Sequence, residues 1–174
     1  MPDVSGSRRQ ARERALSLLY EAESKNVSPD AVLAALPVEP DRFAGDVVAG
    51  VGRNCEELDK WITSYAKDWT IDRMPALDRA LLRMGVFELL HRPDVPTGAI
   101  ISEAVELAQR FSTEESSRFV NGMLGRIAEA VRPSDAVSTS DAEAVDPEAV
   151  AGDPAVDDHP ATGEVVEDGL HKQR

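Results

Sequence analysis

Four arginines fall within eight residues of the stretch SRRQARERALSLLY (7–20): Arg8, Arg9, Arg12 and Arg14. A guanidinium is a rigid fork of N–H donors that matches phosphate oxygens and stacks on flat rings. A cluster of them is chemistry for holding a nucleic-acid backbone, with affinity drawn from counterion release. On a helix, Arg8, Arg9 and Arg12 fall within about 100° of one another. They flank the apolar stripe of Ala11, Ala15, Leu18, Leu19 and Ala22, with Arg14 on the other side. Tyr20 continues the flank of Arg9 and Arg12. The expected result is three guanidiniums displayed together on one exposed face. Positive charge at a helix N-terminus opposes the macrodipole, so the cluster has a reason other than helix stability.

No comparable constellation suggests catalysis. His159 and His171 lie near the C-terminus, and His91 sits alone at a predicted helix end, where a cation suits the dipole. Cys55 has no CxxC companion and no nearby histidine, so neither zinc nor a thiolate nucleophile is signalled. The glycines of GDVVAGVG (45–52) follow no strand and precede no Lys-Ser/Thr, so they make no phosphate loop. The expectation is a protein that is not an enzyme and needs no metal or cofactor.

The formal net charge is −13, and its placement matters. Residues 133–174 hold 11 Asp/Glu against 2 Lys/Arg, and residues 1–132 hold 21 against 17. Most of the acidity therefore lies in a tail that contains no Phe, Tyr or Trp and scatters Pro147, Pro154 and Pro160. Such a composition buries too little apolar surface to offset ordering, and it predicts a disordered acidic tail, 133–174, after a folded domain, 1–132. The tail reads as a solvating segment or, more sharply, as a charge mimic that competes with RNA for the arginines. No apolar run reaches the ~18 residues of a membrane span, and the N-terminal arginines precede no apolar signal core. The chain is expected to be cytoplasmic.

The domain reads as all-α, with about seven helices joined by short loops. Ser7 is the expected cap of the arginine helix, which should stop near Asn26. Ser28-Pro29 opens a short second helix, with a cap followed by proline at the first helical position. A helical pattern from Pro40 to Lys67 breaks near residue 54, beyond Gly50 and Gly52. MPALDRALLRMGVFELLHR (74–92) is apolar around most of its circumference and should be central. RPDVP ends it, Thr97 is the expected cap of the next helix, and Ser112–Glu115 reads as a capping box for the last. FVNGML (119–124) places Asn-Gly inside that last helix, where glycine costs about 1 kcal/mol relative to alanine. A close approach by another helix or a ligand would explain it, as would simple tolerance.

Together RRQARERALSLLY and DRALLRMGVFELLHRPDVPTGAIISEAVELAQRFSTEESSRFVNGML resemble the bacterial transcription antitermination protein NusB family, from about Ser7 to Val131. The resemblance implies two perpendicular three-helix bundles. It implies binding of the boxA element of ribosomal RNA leader transcripts with the ribosomal protein NusE, within an antitermination complex with RNA polymerase. On the family's pattern, RNA contacts fall on Arg8, Arg9, Arg12 and Ser17, and on Glu115, Arg118 and Phe119 at the start of the last helix. Phe119 would supply a base-stacking face. Partner contacts fall on Tyr20 and on the helix bearing Asp78. Gln10 interrupts the arginine run, and Glu115 stands where Asp is common. Some relatives self-associate, so a homodimer is among the expected partners. Two rivals stand beside this reading: a helical protein–protein adaptor without RNA binding, and a NusB-like domain of a ribosomal RNA methyltransferase. The second expects a methyltransferase domain for which this chain has no room.

Overall fold

The computed structural model describes residues 4–67 and 69–136, with side chains from residue 8 to residue 134; the expected acidic tail beyond residue 136 lies outside the described residues. The described residues form helices α1 (Val4–Lys25), α2 (Pro29–Ala34), α3 (Arg42–Arg53), α4 (Cys55–Tyr65), α5 (Ala76–His91), α6 (Thr97–Phe111), α7 (Glu114–Val131) and the short α8 (Pro133–Ala136). A 3₁₀ turn, Ile71–Arg73, leads into α5. The fold is all-α. Pro133, read as the start of the tail, instead opens α8.

Several ends follow local chemistry. Helix α1 begins at Val4, so Ser7 lies within it and is not its cap. It closes at Asn26, whose φ of 53° is a left-handed conformation that asparagine tolerates. The amides of Asn26 and Val27 then bond back to the carbonyls of Glu23 and Ala22 at 3.1 and 3.0 Å, a Schellman closure. Ser28 caps α2 through the Ala31 amide, with Pro29 at the first position as expected. Asp41 caps α3 by accepting from the amides of Phe43 and Ala44. Two caps differ from expectation. Pro96, not Thr97, precedes α6. Thr113, not Ser112, caps α7 by accepting from the Ser116 amide at 3.1 Å, because Ser112 turns its hydroxyl elsewhere.

Helix α5 is the centre. Leu81, Leu82, Met84, Val86 and Leu89 are buried, and α1, α3, α4, α6 and α7 all pack against it. Helices α1, α2 and α3 form one group, and α5, α6 and α7 the other. Two glycines permit close approach. A Cβ on Gly85 would meet Leu124 of α7 at 2.7 Å, and one on Gly50 would meet the Phe87 ring at 2.1 Å. Gly122 is different: a Cβ there meets nothing within 4 Å, so no neighbouring helix among the described residues explains the Asn-Gly pair. All five positions of the α1 stripe, Ala11, Ala15, Leu18, Leu19 and Ala22, are buried. The core thus fixes the rotation of α1 and decides where its arginines point.

Candidate nucleic-acid interface

The three flanking arginines of α1 have three different environments. Arg8 lays its guanidinium over the Phe43 ring, 4.6 Å from the centroid, with no carboxylate in ion-pair range among the described residues. Arg9 is exposed but doubly paired. It reaches Glu103 and Glu106 of α6 at 2.9 Å each, and the Glu103 hydrogen bond raises its pKa further. Arg12 corrects the expectation of a common exposed face. It is 4% exposed and makes a two-pronged ion pair with Glu88 of α5, itself 1% exposed, at 2.7 and 2.9 Å. The flank of a stripe is only partly solvent-facing once α5 and α3 pack beside it. There a guanidinium must be paired, because an isolated buried charge is very costly.

The outer seam continues between α1 and α6. Glu13 pairs with Arg110 at 2.7 Å, one turn on from Arg9. Next along α1, Ser17 and Tyr20 are exposed and line a groove of about 530 Å³ with Leu16, Leu77, Phe111 and Ser112. Tyr20 and Phe111 are 46% and 45% exposed, so the groove presents two aromatic faces beside aliphatic walls.

Asp78, whose helix is expected to meet the partner, does not itself offer an open contact: it is 3% exposed, and its two oxygens accept from the hydroxyls of Ser112 at 3.0 Å and Ser116 at 2.8 Å. It ties the start of α5 to the turn from which α7 begins. That tie positions the last three expected residues. Glu115 and Arg118 are exposed, with Arg118 paired to Glu114 one turn back. Phe119 is half-buried and packs against Trp69, ring centroids 5.7 Å apart at 55°. Trp69 is itself 46% exposed, so the pair offers an aromatic surface.

No group of three or more metal-ligating side chains occurs among the described residues. Burial pushes the Cys55 thiol up, away from the thiolate a nucleophile needs. No helix among the described residues is long and apolar enough to cross a membrane.

The family model described as the NusB family matches residues 9–129, an interval that runs from the arginines of α1 through α7. The chain belongs to the NusB family. It is 47% identical over 128 residues to the Transcription antitermination protein NusB of Kineococcus radiotolerans, covering 71% of this chain and 93% of that one. It is 46% identical over 133 residues to the protein of the same name from Clavibacter sepedonicus, covering 71% and 97%. Among solved structures, T. maritima NusB superposes with a TM-score of 0.67 at 30% identity, over 75% of this chain and 96% of that chain. A crystal structure of the antitermination factors NusB and NusE in complex with dsRNA gives 0.61 at 28% identity, over 71% and 96%.

Within this NusB fold, reading the sequence missed Trp69, Phe43 and Arg92. Trp69 stands in the loop between α4 and α5, fifty residues from the phenylalanine it meets, so no helical spacing reports it. Phe43 reads as an ordinary core position, yet three guanidiniums lie over its ring: Arg8, Arg12 at 5.1 Å and Arg92 at 4.8 Å. Arg92 reads as part of a helix-breaking turn, and only the fold brings it beside α1.

Proposed function

We propose that this chain is an RNA-binding transcription antitermination factor that binds the boxA element of ribosomal RNA leader transcripts together with the ribosomal protein NusE, in a complex with RNA polymerase in the cytoplasm. The observation that carries the reading is the similarity to proteins named Transcription antitermination protein NusB, matched over 93–97% of their own length. The structure of NusB and NusE with dsRNA supports the choice of partners.

In this reading Arg8 and Arg9 hold the backbone, Ser17 adds a polar contact, and Glu115 and Arg118 meet bases or sugar at the start of α7. Phe119 and Trp69 together are the stacking surface, which holds single strands without demanding one sequence. Arg12 and Asp78 serve by position: one fixes the rotation of α1, the other the start of α7. Tyr20 and the groove to Phe111 receive the protein partner, its aromatic faces filling the anchor role common at interfaces. Residues 1–132 are the RNA-binding domain and 133–174 an acidic segment that follows it. No catalytic step is assigned. A second reading, a protein–protein adaptor without RNA binding, is favoured by one observation: Arg9 and Arg12 already have carboxylate partners.

Fluorescence anisotropy separates the two. A boxA RNA and a scrambled one are titrated with the full chain across salt, with and without NusE. The variant is Arg8→Gln/Arg9→Gln, with Arg12 kept because it pairs with the buried Glu88. A boxA preference that NusE strengthens and that the variant loses supports the antitermination reading. Weak binding, blind to sequence and to the variant, leaves the adaptor.

A further inference from the structure

Between α1, the start of α3 and the turn after α5 lies a cleft of about 380 Å³, lined by Arg8, Asp41, Arg42, Phe43, Asp46 and Arg92. Its floor is the Phe43 ring, with Arg8 and Arg92 over it. Stacking on a ring fixes a guanidinium without consuming its in-plane N–H donors. Arg8 is therefore held in place with no carboxylate within ion-pair distance among the described residues, although Asp94 is near enough to feel its charge. Arg42 stands at the rim with its side chain 95% exposed, and its one ion pair, to Asp46, is stretched to 3.9 Å. Arg92 is the least available, since Asp94 takes it at 3.0 Å. Of the two lining carboxylates, Asp41 is committed to the α3 amides. Asp46 opposes only weakly.

We infer that this cleft is a further phosphate site: it takes a backbone phosphodiester of the bound RNA next to the boxA contacts, with Arg42 as principal donor, Arg8 shared with the boxA strand and Arg92 in support. The inference rests on the RNA-binding reading above and extends the strand's path from the N-terminus of α1 across the start of α3. The chemistry favours a phosphodiester over a protein carboxylate, because two stacked guanidiniums and one exposed one surround a single pocket that suits a tetrahedral anion with several acceptor oxygens.

The test compares a minimal boxA RNA with RNAs extended by several nucleotides on the 5′ or the 3′ side, using the full chain. One extension is expected to bind wild type more tightly. Arg42→Gln should remove about three- to tenfold of that affinity and flatten the salt slope by about 0.7, the value for one single-strand phosphate contact. The same variant should leave the minimal RNA unchanged. Asp46→Asn should raise affinity for the extended RNA, an outcome misfolding cannot imitate. Arg14→Gln, exposed on α1 but outside the cleft, is the control. If Arg42→Gln and Arg42→Gln/Arg92→Gln bind the extended RNAs like wild type while Arg9→Gln still weakens boxA binding, the cleft is not a phosphate site and the antitermination reading stands. Displacement of the extension by an oligoglutamate of equal charge would overturn the choice of RNA as its occupant. Absence of binding to every RNA by wild type overturns both.

Discussion

Arg9 and Arg12 lie three residues apart on one helix, each two-handed towards glutamate, and the two contacts do different work. At the outer seam a half-exposed Arg9 meets Glu106 in solvent and Glu103 at the edge of the core, and ion pairs open to solvent contribute little and are screened by salt. At the inner contact Arg12 and Glu88 are sealed between α1 and α5. There the pair need not add stability over an apolar pair, yet losing one partner strands a charge. The comparison teaches that residue type and spacing name the chemistry while depth decides the job. A guanidinium at the rim can exchange its partner for a phosphate, and one in the wall holds the helix that carries the rim.

The inner contact offers the largest way to break this contrast. Glu88→Ala should destabilise the fold by about 3–5 kcal/mol in urea unfolding, whereas Arg12→Met/Glu88→Leu should recover most of the loss. A Glu88→Ala chain within 1 kcal/mol of wild type would mean the pair is not sealed, and the distinction would collapse. Next is Asp78→Ala, which strands two serine hydroxyls and should cost about 1–3 kcal/mol. Amide exchange at Ser116 and Ser117 should rise with it, since the start of α7 loses its tie.

An intermediate case sharpens the scale. Glu23 receives Arg79 and Arg83, and Arg83 also holds Asp59 at 2.7 Å. Burial alone would raise the Glu23 pKa, but the Arg79 hydrogen bond and the Arg83 charge bring it below the usual value. A carboxyl depressed on folding contributes stability above its unfolded pKa, near 4.5, and loses it as pH falls through the folded value. Wild-type stability should therefore decline below about pH 4.5, and Glu23→Gln should flatten that decline while costing about 1–2 kcal/mol at neutral pH. The smallest effect belongs to the seam: Arg9→Gln should change stability less than any of these variants while weakening RNA binding. Calorimetry beside anisotropy reads both.

The same contrast explains what could be read in advance. The α1 stripe, the Ser28-Pro29 start, the break at Asn54 and the centrality of α5 are local patterns, and each is found in the fold. The burial of Arg12 is not local, because on a helical wheel it shares a flank with Arg8 and Arg9. Only Glu88, 76 residues on, distinguishes it. The burial of Asp78 is likewise not local, because its two hydroxyl partners lie 34 and 38 residues away. Ser112 reads as a cap for the same reason: its hydroxyl serves Asp78, leaving Thr113 to the helix. Resemblance to a family carried residue positions forward, but neither burial nor the Trp69–Phe119 contact.

The two carboxylates on Arg9 have one more consequence. A phosphate arriving there enters a displacement reaction with a resident competitor, not a vacant charge. Glu103 and Glu106 must be handed back to water or to other cations as the strand settles, so fewer ions are freed than the arginines alone would suggest. Added salt loosens the resident pair as well as the incoming one. Counting arginines therefore overstates how steeply binding should fade with salt, and exchanging Glu106 for glutamine should steepen it.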